Sequence, residues 1–358
     1  MDLAASATAS DRLDFSADDL LASEEGLAPL LANGVRCHGG FDADGRYRSP
    51  RTRHRTPAIR AWQERLLREG GELLQVAPEL VPPQYPNVAQ SKLLLGAGVR
   101  DPIVRALTTI AIVEGFGAII RDVRVPELAR LVREPLDGTA AAHLGRGLFE
   151  AHARDEAGHR DEGGHKQMWE AARDLAFESP RIPPDVLMRL LGRRGAGRER
   201  RRAFPSLDEA LEGMLATMVN VLVIEIFAAR TFEWGIALLS DPEVSAKPAE
   251  AGAMVSYIRS DESPHVEYLR TALSELRART FVTCDGQDLS GRQVVDGLLH
   301  RSLRVLTTSR PAEQRAETRS SLADAMKAAG ARSGLLEEFD ALETPFTPPE
   351  RTGFESAS

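Results

Sequence analysis

The sequence predicts an all-α protein. Almost no segment alternates with period two, whereas apolar residues recur at helical spacing along most of the chain. From Asp101 onward, helix caps and helix stops follow one another in order. Four long helical segments in the middle of the chain suggest a bundle.

Residues 1–55 read as an irregular or flexible segment. Asn33-Gly34, Gly39-Gly40 and Asp44-Gly45 are turn signals, and residues 49–57 are polar and basic. The segment is either a disordered tail or a strap wrapping a bundle. Residues 56–100 hold a short amphipathic helix over 57–69 and an extended connector over 81–86, where successive prolines remove donors and fix φ. The bundle itself is expected over 101–280. Asp101 and Pro102 open a helix running to 123, and a short one follows Pro126. A long helix is expected over 139–177, stopped by Ser179-Pro180, and Pro183-Pro184-Asp185 opens a short one. An arginine- and glycine-rich linker over 193–202 reads as a solvated loop. Ser206 caps an apolar helix to Leu239, and another helix spans 248–279. Asp285-Gly286 marks a turn, with 281–283 forming one side of a small hairpin. Residues 281–345 form a helical extension and 346–358 a tail.

The 358 residues carry a net charge of −8. The length fits one large domain, and the acidic balance argues against nucleic acid as the main partner. Cys37 and Cys284 make neither a CxxC pair nor a disulfide framework, so a reducing, cytoplasmic setting is the simpler expectation. The first residues lack the basic and apolar regions of a signal peptide. The most apolar run, 106–120, is short for a membrane span and has Glu114 in its middle, so no membrane partner is expected.

That glutamate is the first chemical anomaly. Glu114 lies in TTIAIVEGFGAII, and Glu225 lies in VNVLVIEIFAARTF. A bare carboxylate buried in a bundle costs several kcal/mol or is driven neutral, and a bound cation offsets that cost. The second anomaly is a pair of Glu-x-x-His motifs, Glu156/His159 and Glu262/His265. At i and i+3 the two side chains share a helix face, about 5–6 Å apart, so they can ligate one metal together. The order is a lone glutamate and then Glu-x-x-His, twice over, with roughly 40 residues between glutamates in each half.

In ligand type, order and helical placement this set resembles the ferritin-like di-iron carboxylate superfamily, over residues 100–280. The resemblance implies a ferritin-like four-helix bundle, here with additional N- and C-terminal helices. It implies Glu114, Glu156 and His159 on one metal, and Glu225, Glu262 and His265 on the other, with Glu156 and Glu262 as bridges. Two iron ions, or a manganese–iron pair, follow from carboxylate-rich ligation with one imidazole per metal.

Alternatives stay open within the motif. Glu162-Gly-Gly-His165 is a competing match on a different stripe of the same helix; its plain reading is a solvated pair. His152, four residues before Glu156, is either an extra ligand or a satisfied core histidine, and the second reading is preferred. Di-iron N-oxygenases carry an extra histidine, but on the fourth helix, where Ile258 stands here. Asp155 and Asp261 each precede a ligand glutamate and can hydrogen-bond a ligand histidine or sit in solvent. Pro264 should bend its helix beside the metals. Tyr257 and Tyr268 flank the fourth-helix ligands, with a core role preferred.

The expected activity is that of an O2-activating non-haem di-iron oxygenase or oxidase acting on a small organic substrate, by hydroxylation, N-oxygenation or desaturation. Ribonucleotide reductase small subunits resemble the ligand set but carry a radical tyrosine four residues past the first ligand histidine, where this chain has Gly163. No flavin or nicotinamide motif is present, so a separate reductase or ferredoxin is expected to donate electrons, and the protein to act as a small oligomer such as a homodimer. The alternatives are a ferroxidase or iron-storage protein, and a non-catalytic helical interaction protein.

Overall fold

The computed structural model describes residues 12–182 and 202–346. Among them helices dominate and strands are few and short. A short α1 (Ala17–Leu21) precedes a small antiparallel sheet of β1 (Ala28–Ala32), β2 (Val35–Phe41) and β3 (Tyr47–Arg48), in that order. Then come α2 (Arg55–Arg68), α3 (Val88–Gly96) and α4 (Asp101–Gly117). Helical turns at Leu128–Leu131, Ala140–His143 and Leu144–Leu148 lead into α5 (Phe149–Ala157) and α6 (His165–Phe177). The remainder is α7 (Glu209–Leu239), α8 (Pro248–Asp261), α9 (Ser263–Arg277), the hairpin of β4 (Thr280–Val282) and β5 (Asp288–Ser290), α10 (Gly291–Arg304), α11 (Arg310–Ala328) and α12 (Leu335–Ala341).

Four local expectations are corrected. First, the N-terminal segment from residue 12 is ordered. Asn33 and Gly34 both adopt positive φ (48° and 78°), so they close a two-residue hairpin between β1 and β2, in register from Ala32 opposite Val35. The strap is therefore the better of the two readings. Second, the helix expected over 139–177 is broken twice. One break is at Leu144–Leu148, where Gly147 takes φ 142°; the other is a loop over 158–164. Third, the helix expected over 248–279 is interrupted at Glu262, two residues before Pro264, whose missing N–H cannot continue the ladder. Fourth, the cap of α7 is Asp208 rather than Ser206; its carboxylate accepts from the Leu211 N–H. The short helix expected from Pro183 and the arginine-rich linker up to residue 201 lie outside the described residues.

α4 packs on α5 and α6, α8 on α6 and α7, and α9 on α7. Between them run two separate hydrophobic cores. The first gathers Trp62, Leu148, Phe149, Leu211 to Val223 along α7, Tyr268 to Leu276, and Val294 to Leu303. The second gathers Ile103 to Ala111, Met168 to Phe177, Phe232 to Leu239, Val255, Ile258 and Phe339. Each fully buried aliphatic or aromatic side chain contributes about 1.5–3 kcal/mol by leaving water. α7 passes through both cores, and so does α4 with the turn after it (Asp101–Asp122). Both stretches accordingly reach the length and mean hydropathy (1.8) of a membrane span. Glu114 and Glu225 fall on the seam between the two cores.

Candidate metal centre

α4 and α7 each deliver their polar group at the point where they cross the seam. On α4, Glu114 stands between Ala111 of the second core and Ile120 of the first. On α7, Glu225 stands between Val223 of the first and Phe232 of the second. α5 brings His152 and Glu156, the loop after it returns His165 at the start of α6, and the α8–α9 junction brings Glu262 and His265. His152, His165 and His265 are fully buried, and Glu156 and Glu262 nearly so. The side chains of Glu114 and Glu225 keep 12 % and 11 % exposure, so the centre meets solvent on their side.

Two groups of four side chains have ligand atoms mutually close enough to share an ion: His152, Glu156, Glu225 and His265; and Glu156, His165, Glu262 and His265. His165 Nδ1 lies 2.9 Å from Glu262, 3.4 Å from Glu156 and 3.6 Å from Glu114. His265 Nδ1 lies 2.8 Å from Glu262 and 3.3 Å from Glu156. His152 Nε2 lies 3.3 Å from Glu225 and 3.6 Å from Glu156. Four buried atoms here, His152 Nε2, His165 Nδ1, Glu156 Oε1 and Glu262 Oε1, have no hydrogen-bond partner. Orphaned buried polar atoms are rare, and four directed at one centre are what a cation's donor set looks like.

Behind these atoms lies a crossed outer layer. Asp155, next to Glu156, accepts from His265 Nε2 at 3.0 Å. Asp261, next to Glu262, lies 3.6 Å from His165 Nε2. Asp155 thus braces the histidine of the other half, while Asp261 lies beyond hydrogen-bonding distance of His165. The N-terminal strap anchors both aspartates. Arg51 and Arg55 donate to Asp155 at 2.6 and 2.8 Å, while Tyr47 and His38 donate to Asp261 at 2.8 and 3.2 Å. Because its Nε2 donates to Asp155, His265 turns the lone pair of Nδ1 toward the glutamates. His38, His165 and Asp261 also lie within ligating reach of one another, sharing His165 with the main centre.

Charge follows from this geometry. Burial pushes Glu114 up to about 8 against the lowering contact with His165, and Glu156 and Glu262 add repulsion. Burial and the same two neighbours raise Glu225 well above the ordinary range. Burial also favours neutral Glu262, but His165 and His265 together overcome it and hold this carboxyl low. Burial disfavours imidazolium at His165 and His265, yet Glu262 foremost raises both. At His152 burial wins, helped by His265, and the ring is held neutral. In the state that ligates a cation, with all four glutamates and both aspartates ionised and every imidazole neutral, the two guanidiniums leave four negative charges. Two divalent cations cancel that excess, so the residues fit a metal pair by charge as well as by donor type. Thiolate is absent from the set; carboxylate with imidazole suits iron or manganese.

Glu114, Glu156, Glu225, Glu262 and His265, all singled out from the sequence, converge. His159 does not. α5 ends at Ala157, Gly158 turns the chain at φ 83°, and His159 sits half-exposed, its backbone paired with Glu162 in the loop. A side chain at Gly158 or Gly164 would strike the facing loop backbone, so these glycines permit the tight reversal that puts His165 in the imidazole position. The Glu162/His165 match is thus half present: His165 is in the centre, Glu162 pairs with Arg36 outside it. The sequence signal for this was the three glycines at 158, 163 and 164, which argue against an unbroken helix. His38, Tyr47, Arg51 and Arg55 were missed because turn-rich, basic sequence reads as solvated. Comparison with protein-family models, with curated proteins and with solved structures returns no match.

Proposed function

We propose that this protein is an O2-activating oxidoreductase built on a ferritin-like bundle, with a pair of iron ions held by Glu114, Glu156, Glu225, Glu262, His165 and His265, and acting on a small organic substrate. The observation that carries this reading is the convergence, from five segments, of glutamates and histidines, four of whose inward atoms lack partners. When bound, an iron pair supplies two-electron chemistry with O2, and the rest of the task falls to the chain. Glu156 faces all three inward histidines, so it suits a bridging role. Asp155 fixes the ring orientation of His265. The two cores keep water from the seam except beside Glu114 and Glu225, where a substrate would approach. Electrons would come from a separate reductase or ferredoxin.

Metal content by mass spectrometry, on protein produced with iron supplied, tests this directly. About two ions per chain, mostly iron, with loss of both in Glu156→Ala, is the expected result. Substoichiometric metal after anaerobic Fe(II) loading, unchanged by the substitution, overturns the reading and leaves a proton-sharing ion network as the account of the cluster.

A further inference from the structure

We propose that His152 is a third imidazole donor, so that the two metal positions are unequal: one is served by His152 with Glu225, the other by His165 and His265 with Glu262. This rests on the di-metal reading above and adds an asymmetry to it. His152 is fully buried at the seam, and its Nε2 has no hydrogen-bond partner while facing Glu225 and Glu156. Its ring stacks face to face on His265 at 3.9 Å with an interplanar angle of 5°, so the in-plane lone pairs of the two imidazoles run parallel and serve separate positions. Tyr268 holds the far side: its hydroxyl lies 3.0 Å from His152 Nδ1. With the Nδ1 proton donated to that oxygen, the Nε2 lone pair is free to point inward. A core histidine with an ordinary role would have both nitrogens satisfied.

The other half offers no counterpart. Four residues before Glu262 stands Ile258, buried in the second core. Glu114 approaches His165, whereas Glu225 approaches His152, so the lone glutamates divide between the positions in the same way. Nitrogen donors favour ferrous iron over harder ions, which carboxylates serve as well or better. The position served by His165 and His265 is therefore the tighter one for Fe(II) and fills first.

Mössbauer spectroscopy during anaerobic titration of the whole chain with 57Fe(II) reads this without turnover. The first equivalent should give one quadrupole doublet and the second a different one, and His152→Leu should bind one ion per chain instead of two. Two ions entering the wild type together with one shared doublet, or two ions retained by a folded His152→Leu, overturns the asymmetry while leaving the metal pair intact. No metal in the wild type overturns both. If His152→Leu does not fold, the wild-type titration alone decides.

Discussion

The two Asp-Glu pairs, Asp155-Glu156 and Asp261-Glu262, reach the same geometry by different chain paths. At the second pair the helix breaks for a single residue, Glu262, and resumes with its histidine three positions on. At the first pair the helix stops, seven residues form a loop, and the histidine arrives nine positions on, at the first turn of α6. A linear motif predicts a ligand only while the helix carrying it continues. What the two halves share is a place in space: a carboxylate from one segment, an imidazole from beyond the break, and an aspartate near the other half's histidine.

The sharpest way to break this comparison is to exchange the two histidines of the first half. His165→Ala should remove at least half of the bound metal, and His159→Ala should leave it at the wild-type level, both read by mass spectrometry after loading. The opposite pattern would mean that the helix continues through His159 in solution.

A smaller effect separates the two aspartates. Asp155→Asn removes the negative charge between two buried guanidiniums, so it should cost about 3 kcal/mol or more in chemical denaturation. Asp261 accepts from a neutral tyrosine and a histidine, and an amide oxygen can still do so; Asp261→Asn should cost about 1 kcal/mol. Both should weaken metal affinity by roughly 10–100-fold. Equal stability losses would show that the strap does not distinguish the halves.

A further effect is a dependence on pH. Glu275, late on α9, accepts from the Ala140 and Ala141 N–H groups and so ties the second half to the turn that leads into the first. Burial raises its pKa from 4.5 to about 7. A raised acid binds more protons folded than unfolded between those values, so the stability it contributes is full below about 4.5 and lost as pH rises through about 7. Denaturation midpoints at pH 5 and pH 8 should therefore differ more in the wild type than in Glu275→Gln, by up to about 3 kcal/mol. Parallel pH curves would remove Glu275 from this role.

Much of this molecule was legible in the sequence. Glu114 and Glu225 stood out because a charge inside a long apolar helix needs a reason. Glu262 and His265 kept their motif because the break at Glu262 costs only one residue. His165 was obscured because periodicity assumes a continuous axis, and three glycines broke it. The strap was the least legible part. Nothing local in residues 49–57 reveals that Arg51 and Arg55 are buried, since their partner Asp155 lies about a hundred residues away.

That distance has a consequence for how the protein is made. The centre is completed by contacts spanning 104 residues for Arg51, 223 for His38 and 214 for Tyr47. On the ribosome the strap emerges first and can meet Asp155 at mid-synthesis, but it must wait for Asp261. Non-local closures of this kind are slow and leave apolar surface uncovered meanwhile. The strap is thus made well before it can find its full set of partners, and the outer layer of the centre forms only once Asp261 has been synthesised.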